Sequence, residues 1–174
     1  MPPEESPMSQ PMTQLVATTP VRLDRQSLEH AARTAVGATV ALLVARIFKL
    51  PESHWAAITT MIVLQSSLGA ALSVSSFRFI GTALGAVAGG LLASHFGPHF
   101  YIFGAAIFLL GVCTAALHLD RSAFRFAGIT LAIVMLVAHT QSPWIVAAHR
   151  FVEVSIGIVI GLLLAVLWPE RQAP

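Results

Sequence analysis

The chain has 174 residues, of which 56% are hydrophobic and only 10% charged. A soluble domain carries about 25% charged residues, so this composition excludes water as the main solvent of the folded chain. The ten basic residues are scattered and sit mostly at the ends of apolar runs, which excludes a nucleic-acid footprint despite a pI near 9.3.

Residues 1–26 read as a disordered cytoplasmic tail, because Pro, Ser, Gln and Glu bury too little surface to order it. The tail lacks a basic start and an apolar core, so it is not expected to be a cleaved signal peptide. The first apolar segment spans 29–48 and stops at Lys49-Leu50-Pro51, since proline disfavours helix before and within itself. Arg33 lies in its first turns, either as a headgroup anchor or as part of a positive site for an organic anion. The second segment spans 54–72, with Ser53 as its cap. Gln65-Ser66-Ser67 interrupts that run just before Gly69. Polar groups there need protein partners or a cavity, so Gln65 and Ser66 either line a path in a broken helix or mark an early end of the segment. Ser73-Val74-Ser75-Ser76 is expected as the next turn. The third segment, 77–96, has Arg78 near its start, carries Gly81, Gly85 and Gly89 on one face, and ends at Gly97-Pro98. The fourth, 99–119, holds Cys113, a single cysteine expected to be a small packed residue. Asp120-Arg121-Ser122 is the following loop. The fifth segment covers 123–139 and is broken by Thr140-Gln141-Ser142-Pro143. The sixth covers 146–168, ends at Pro169, and leaves a short tail at 170–174.

Continuous apolar runs near the roughly 20-residue spanning length predict bilayer-crossing helices. They do not alternate as barrel strands would, and too few polar residues exist to coat a soluble bundle. The lipid bilayer is therefore the first expected partner. Counting Lys and Arg by side places Arg22, Arg25, Arg33, Arg78, Arg121, Arg125 and Arg171 together, and Arg46, Lys49 and Arg150 opposite, which predicts cytoplasmic termini. Trp55 and Trp144 would then lie near the outer interface and Trp168 near the inner one.

The chain repeats itself. Arg78-Phe79-Ile80, Gly85, Gly89 and Leu91-Leu92-Ala93 recur 72 positions later as Arg150-Phe151-Val152, Gly157, Gly161 and Leu163-Leu164-Ala165. Trp55-Ala56-Ala57-Ile58-Thr59 recurs 71 positions later as Phe126-Ala127-Gly128-Ile129-Thr130. Three helices per copy invert the second copy. The expected fold is thus an all-α integral membrane domain over 27–169, six transmembrane helices as a 3+3 inverted repeat with halves 27–96 and 99–169, and a pathway at the repeat interface. On this reading Arg78 enters from the cytoplasmic face and Arg150 from the outer face, with Phe79 and Phe151 in opposite leaflets. Both arginines are either pathway residues or headgroup anchors. Gly81, Gly85, Gly89, Gly157 and Gly161 either let helix backbones approach closely, within or between protomers, or line a substrate path. Glu153 is the one carboxylate well inside an apolar run, so it is either an ion-pair partner of Arg150 three residues earlier or a proton-coupling or gating acid.

His54, His95, His99, His118, His139 and His149 sit mostly at segment edges. Gly97-Pro98 separates His95 from His99. No metal-binding motif, phosphate loop or nucleophile elbow is present, so no metal, cofactor or enzyme activity is expected.

His54-Trp55-Ala56, Val63-Leu64-Gln65, Leu68-Gly69 and Arg78-x-x-Gly81-Thr82-x-x-Gly85, with Arg150-Phe151-x-Glu153-x-x-x-Gly157 and Trp168-Pro169, resemble the FUSC (fusaric acid resistance protein-like) family. That family includes aromatic acid exporters and is related to plant aluminium-activated malate transporters. The resemblance covers about 27–169. Ser66 stands where the family often has proline. The likeness implies an inner-membrane protein for efflux or permeation of organic, often aromatic, carboxylates, sometimes with a periplasmic adaptor protein. Larger relatives carry a cytoplasmic domain or a second six-helix unit, so the expected assembly is a homo-oligomer. The alternative is a non-transporting scaffold or accessory subunit of a larger efflux complex.

Overall fold

A computed structural model describes residues 25–65, 67–137 and 140–169. Those residues form six helices: α1 (Arg25–Ile47), α2 (His54–Val63), α3 (Leu68–Phe96), α4 (Phe100–Ala116), α5 (Arg121–Leu136) and α6 (Pro143–Leu167). Among the described residues there is no strand. Three helices are long and apolar enough to cross a membrane: Ser27–Ile47 in α1, Leu68–Phe96 and Pro143–Leu167. The other apolar helices, α2 and α4, are shorter. At 1.5 Å per residue α2 is only about 15 Å long, half of a hydrocarbon core of roughly 30 Å.

The main departure from the expected boundaries is at α2 and α3. The sequence predicts one helix over 54–72 and a turn at 73–76, whereas α2 stops at Val63 and α3 is already formed at Leu68. Side-chain hydrogen bonding explains the shift. The Gln65 amide donates to the Ile62 carbonyl (2.7 Å), and the Gln65 carbonyl accepts from Arg33 (2.6 Å), so the end of α2 is satisfied without further helix. Ser67 then caps α3 by accepting from the Ala70 amide. The serines expected to turn the chain stay helical, because a hydroxyl can donate to the preceding turn; Ser76 does so to the Leu72 carbonyl (2.9 Å). Ser66 itself lies outside the described residues, as do 1–24, 170–174 and 138–139 with His139.

Smaller corrections follow the same logic. Ser53 precedes α2 but makes no side-chain cap bond. The sixth helix starts at Pro143 and not at 146, because proline suits the first turn, where its missing N–H has no helical partner to lose. α1 begins at Arg25, so the last two residues assigned to the tail are helical. Asp120 caps α5, accepting from the Ser122 amide at 2.7 Å. That bond, with the Ser122 hydroxyl, holds its carboxyl below the usual aspartate range.

Glycine and alanine contacts define the packing. α6 lies along α2: a Cβ at Gly157 would overlap the Ala56 carbonyl oxygen, and one at Gly161 would lie 2.7 Å from Val63. α3 lies along α5 in the same manner, Gly85 on the Ala127 carbonyl and Gly89 on Val134. These two interfaces use equivalent residues of the sequence repeat, and each joins a helix from one half to a helix from the other. Thr60 bridges α2 to α6 by donating to both the Ala56 and Gly157 carbonyls at 3.0 Å. α1 covers the α2–α6 pair through Gly37, Ala41 and Ala45. α4 covers α5 through Ala106 and Leu110, which pack on Ala127 and Leu131.

Contact order gives direction. Gly85 and Gly89 meet Ala127 and Val134, so α3 and α5 are parallel; Gly157 and Gly161 meet Ala56 and Val63, so α2 and α6 are parallel. α3 and α6 run antiparallel, with Gly90 against Trp144 and Phe79 against Phe151. Arg33 meets Trp168 and Gly37 meets Leu164, so α1 opposes α6. Ile107 meets Gly128 and Gly111 meets Phe124, so α4 opposes α5. Consecutive helices therefore alternate in direction through all six. Phe79 and Phe151, expected in opposite leaflets, have rings only 5.0 Å apart. Antiparallel copies touch near the middle of their helices, and equivalent residues close to that point meet.

The outer surface is apolar. Phe100, Tyr101, Phe108, Leu109 and Val112 of α4 are all exposed. So is Cys113, expected to be packed, because α4 buries the Ala106, Leu110 and Thr114 face instead. A lipid environment covers such a surface without cost.

Candidate functional site

The interior holds a cluster of charges. Arg78 is 4% exposed and Arg150 2%, and Glu153 is fully buried. With α3 starting at Leu68, Arg78 sits almost three turns inside its helix. Neither arginine reaches a helix end, so the headgroup-anchor reading is corrected for both.

The local frame comes from α2. Its Thr59 hydroxyl oxygen accepts from Arg78 Nε (3.1 Å) and from the Arg78 terminal nitrogen (3.0 Å). One turn earlier, the Trp55 ring lies under the Arg150 guanidinium, 3.8 Å from ring centroid to the central carbon. The Trp55 indole N–H donates to Glu52 Oε2 at 3.0 Å. Arg78 has its own aromatic platform, the Phe126 ring at 4.7 Å. Phe126 is the repeat equivalent of Trp55, so each half lends an aromatic ring to an arginine of the other's helix pair. Guanidinium over an aromatic face contributes about 0.5–2 kcal/mol, more when desolvated.

Glu153 joins the cluster through Oε1, which accepts the Glu52 amide N–H at 3.0 Å. Its Oε2 lies 3.5 Å from a terminal nitrogen of Arg150, and Glu52 Oε2 lies 3.6 Å from the same nitrogen. The local Arg150–Glu153 ion pair read from the sequence is present. A cavity of about 130 Å³ opens beside it. Its walls are the α1–α2 turn (Pro51, Glu52), the loop before α6 (Thr140, Gln141) and α6 itself (Val146, His149, Arg150, Glu153).

The other sequence candidates lie apart from this cluster. Arg33 donates to the Trp168 carbonyl (3.0 Å) and the Gln65 carbonyl (2.6 Å), tying α1 to the last turn of α6 and to the end of α2. Gln65 is half-buried and spends its amide on its own helix end. Gly85, Gly89, Gly157 and Gly161 form the helix interfaces, and Gly81 lies against the Ala123 carbonyl. Among the described residues no group of three His, Cys, Asp or Glu could hold a metal.

Sequence reasoning missed Thr59, Glu52 and Phe126. A signal for two of them existed, since Thr59 and Phe126 stand in the block that recurs at 71 positions. Glu52 had none, because it follows Pro51 in a turn and has no charged equivalent in the second half.

A bundle of apolar helices in alternating directions around buried, hydrogen-bonded charges defines a multi-pass helical membrane protein. The chain belongs to the fusaric acid resistance protein-like family, whose profile matches residues 26–164. The "Uncharacterized transporter YdhK" of Escherichia coli (strain K12) is 32% identical over 153 residues, 82% of this chain and 23% of that protein. The YdhK protein of Salmonella typhimurium is 29% identical over 153 residues, 82% of this chain and 22% of its own length. The "Inner membrane protein YeeA" of Escherichia coli (strain K12) is 29% identical over 151 residues, 82% of this chain and 41% of that protein. The chain thus spans less than half the length of these relatives. No solved structure matches it.

Proposed function

We propose that this chain is the six-helix, 3+3 inverted membrane unit of an inner-membrane transporter that passes organic carboxylates, including aromatic ones, outward. The observation that carries the reading is Arg78. It is buried, and among the described residues no carboxylate lies within ion-pair distance of it. Buried charges in membrane proteins face partners or pathways, and a guanidinium with only a hydroxyl and a ring for company suits a carboxylate ligand. Arg150 adds positive charge one α2 turn away. Alternating helix directions and the exchanged helix pairs support inversion of the two halves. The relatives' names support transport and the inner membrane. With the buried Arg33, Arg78 and Arg150 left out, the charge count still sets Arg22, Arg25, Arg121, Arg125 and Arg171 against Arg46 and Lys49, which supports cytoplasmic termini.

Arg33 and Gln65 remain in this proposal only as flanking polar groups near the helix break, and Ser66, outside the described residues, stays a candidate lining residue. A homo-oligomer and a periplasmic adaptor are further expected partners in this proposal. The test is benzoate flux in proteoliposomes containing the purified chain. Wild type should carry benzoate, and Arg78→Gln should lose most of that flux while keeping its fold. Equal flux in the variant refutes the assignment.

The alternative reading is a non-transporting scaffold or accessory subunit of a larger efflux complex. It predicts no flux alone and co-purification with a stoichiometric, larger membrane protein.

A further inference from the structure

The internal repeat supplies an arginine in each half but an acid in only one. Arg78 and Arg150 are equivalent, as are their platforms Phe126 and Trp55, yet the position equivalent to Glu153 is Gly81. At Gly81 α5 rests directly on α3, and a Cβ would overlap the Ala123 carbonyl. In the other half Glu52 takes the place of Ala123. The Glu153 carboxylate fills the space between, bonded to the Glu52 amide at 3.0 Å and facing Arg150 at 3.5 Å. Glu153 Oε2 and Arg150 Nε and NH1 make no hydrogen bond within the protein, although all are buried. Charge alone holds this pair, and Arg150 keeps donors for another acceptor.

We infer that Glu153 is a built-in carboxylate that occupies one of two guanidinium seats and so restricts the site to anions bearing a single carboxylate. This rests on the anion reading above and names its substrate class. The side chain of Glu52 is 31% exposed, so solvent screens its charge. Within this cluster the buried charges are Arg78, Arg150 and Glu153, with a net of +1; Arg33, equally buried, lies apart from it on the Gln65 and Trp168 carbonyls. A monocarboxylate brings the loaded site to zero. A dicarboxylate leaves a buried charge of −1, which is costly in a low-dielectric interior. Replacing Glu153 by Gln raises the net to +2 and moves the preference toward dicarboxylates. The α2 groups that mark the two seats, Trp55 and Thr59, are one turn apart, about 6 Å along the helix axis. A rigid 1,4-dicarboxylate bridges such a span.

The test measures binding of benzoate and terephthalate to the purified full chain in detergent by titration calorimetry at neutral pH, where both stay ionised. Wild type should bind benzoate more tightly. Glu153→Gln, which keeps an oxygen for the Glu52 amide, should move the affinity ratio toward terephthalate by at least about tenfold, the low end of what one nearby charge does. An unchanged ratio in the variant overturns the inference but leaves the anion reading intact. Wild type binding terephthalate as tightly as benzoate overturns it without any variant, so a variant that fails to fold does not shelter it. Wild type that binds neither compound removes both the inference and the reading beneath it.

Discussion

Alanine substitution at Gly85 and Gly157 tests whether the two exchanged helix pairs are as close as they are drawn. At Gly85 the new methyl overlaps the Ala127 carbonyl and lies 2.9 Å from Thr130 Cβ; at Gly157 it overlaps the Ala56 carbonyl and lies 2.9 Å from Thr59 Cγ2. A backbone carbonyl cannot rotate aside, so each helix pair must separate. Overpacking of this kind costs about 1–3 kcal/mol. Alanine also favours helix over glycine by about 1 kcal/mol, which offsets part of the loss. Gly69→Ala supplies the reference, since its Cβ would meet nothing within 4 Å. Relative to Gly69→Ala, each interface variant should therefore lose about 1–3 kcal/mol. The two losses should add within about 0.5 kcal/mol, because the sites share no partners. The assay is reversible denaturant unfolding in mixed micelles, followed by circular dichroism. A Gly85→Ala or Gly157→Ala protein as stable as Gly69→Ala refutes the close approach.

Three further outcomes follow from the same geometry. Thr59→Val removes the oxygen that accepts both Arg78 bonds while keeping shape; unfolding should show a loss of about 1.5–3 kcal/mol, as for hydrogen bonds to charged groups, and calorimetry should show weaker benzoate binding. Arg33→Met should lower thermal stability by releasing the ends of α2 and α6, yet leave benzoate affinity within a factor of two or so, about 0.4 kcal/mol; a large affinity loss in folded protein would return Arg33 to the anion site. Asp120 has a depressed carboxyl pKa because of its Ser122 bonds, so its cap contributes above the ordinary aspartate value of about 3.9 and is lost as pH falls through the lower folded value. The melting-temperature gap between wild type and Asp120→Ala should accordingly narrow on strong acidification; a gap that widens there contradicts the sign.

Composition alone determined the solvent of this chain, because a sequence with so few charges cannot coat a water-facing surface. The repeat at 71–72 positions likewise announced which glycines would be interfaces, since a missing side chain at every fourth residue has one main use in a lipid-length helix. The sequence could not show that Gln65 and Arg33 would end α2 while Ser73 to Ser76 stayed helical; that choice depends on which carbonyls find donors, and the donor on Arg33 comes from another helix. Only the tertiary structure brought Arg78 and Glu52 to the Arg150–Glu153 pair, whose spacing of three residues already announced an ion pair. Their meeting requires α2 of one half to lie along α6 of the other, and such long-range packing leaves no periodic trace in the chain. The same exchange turned two arginines that read as helix-end residues into buried charges, because depth in a bundle is set by neighbouring helices and not by distance from a turn.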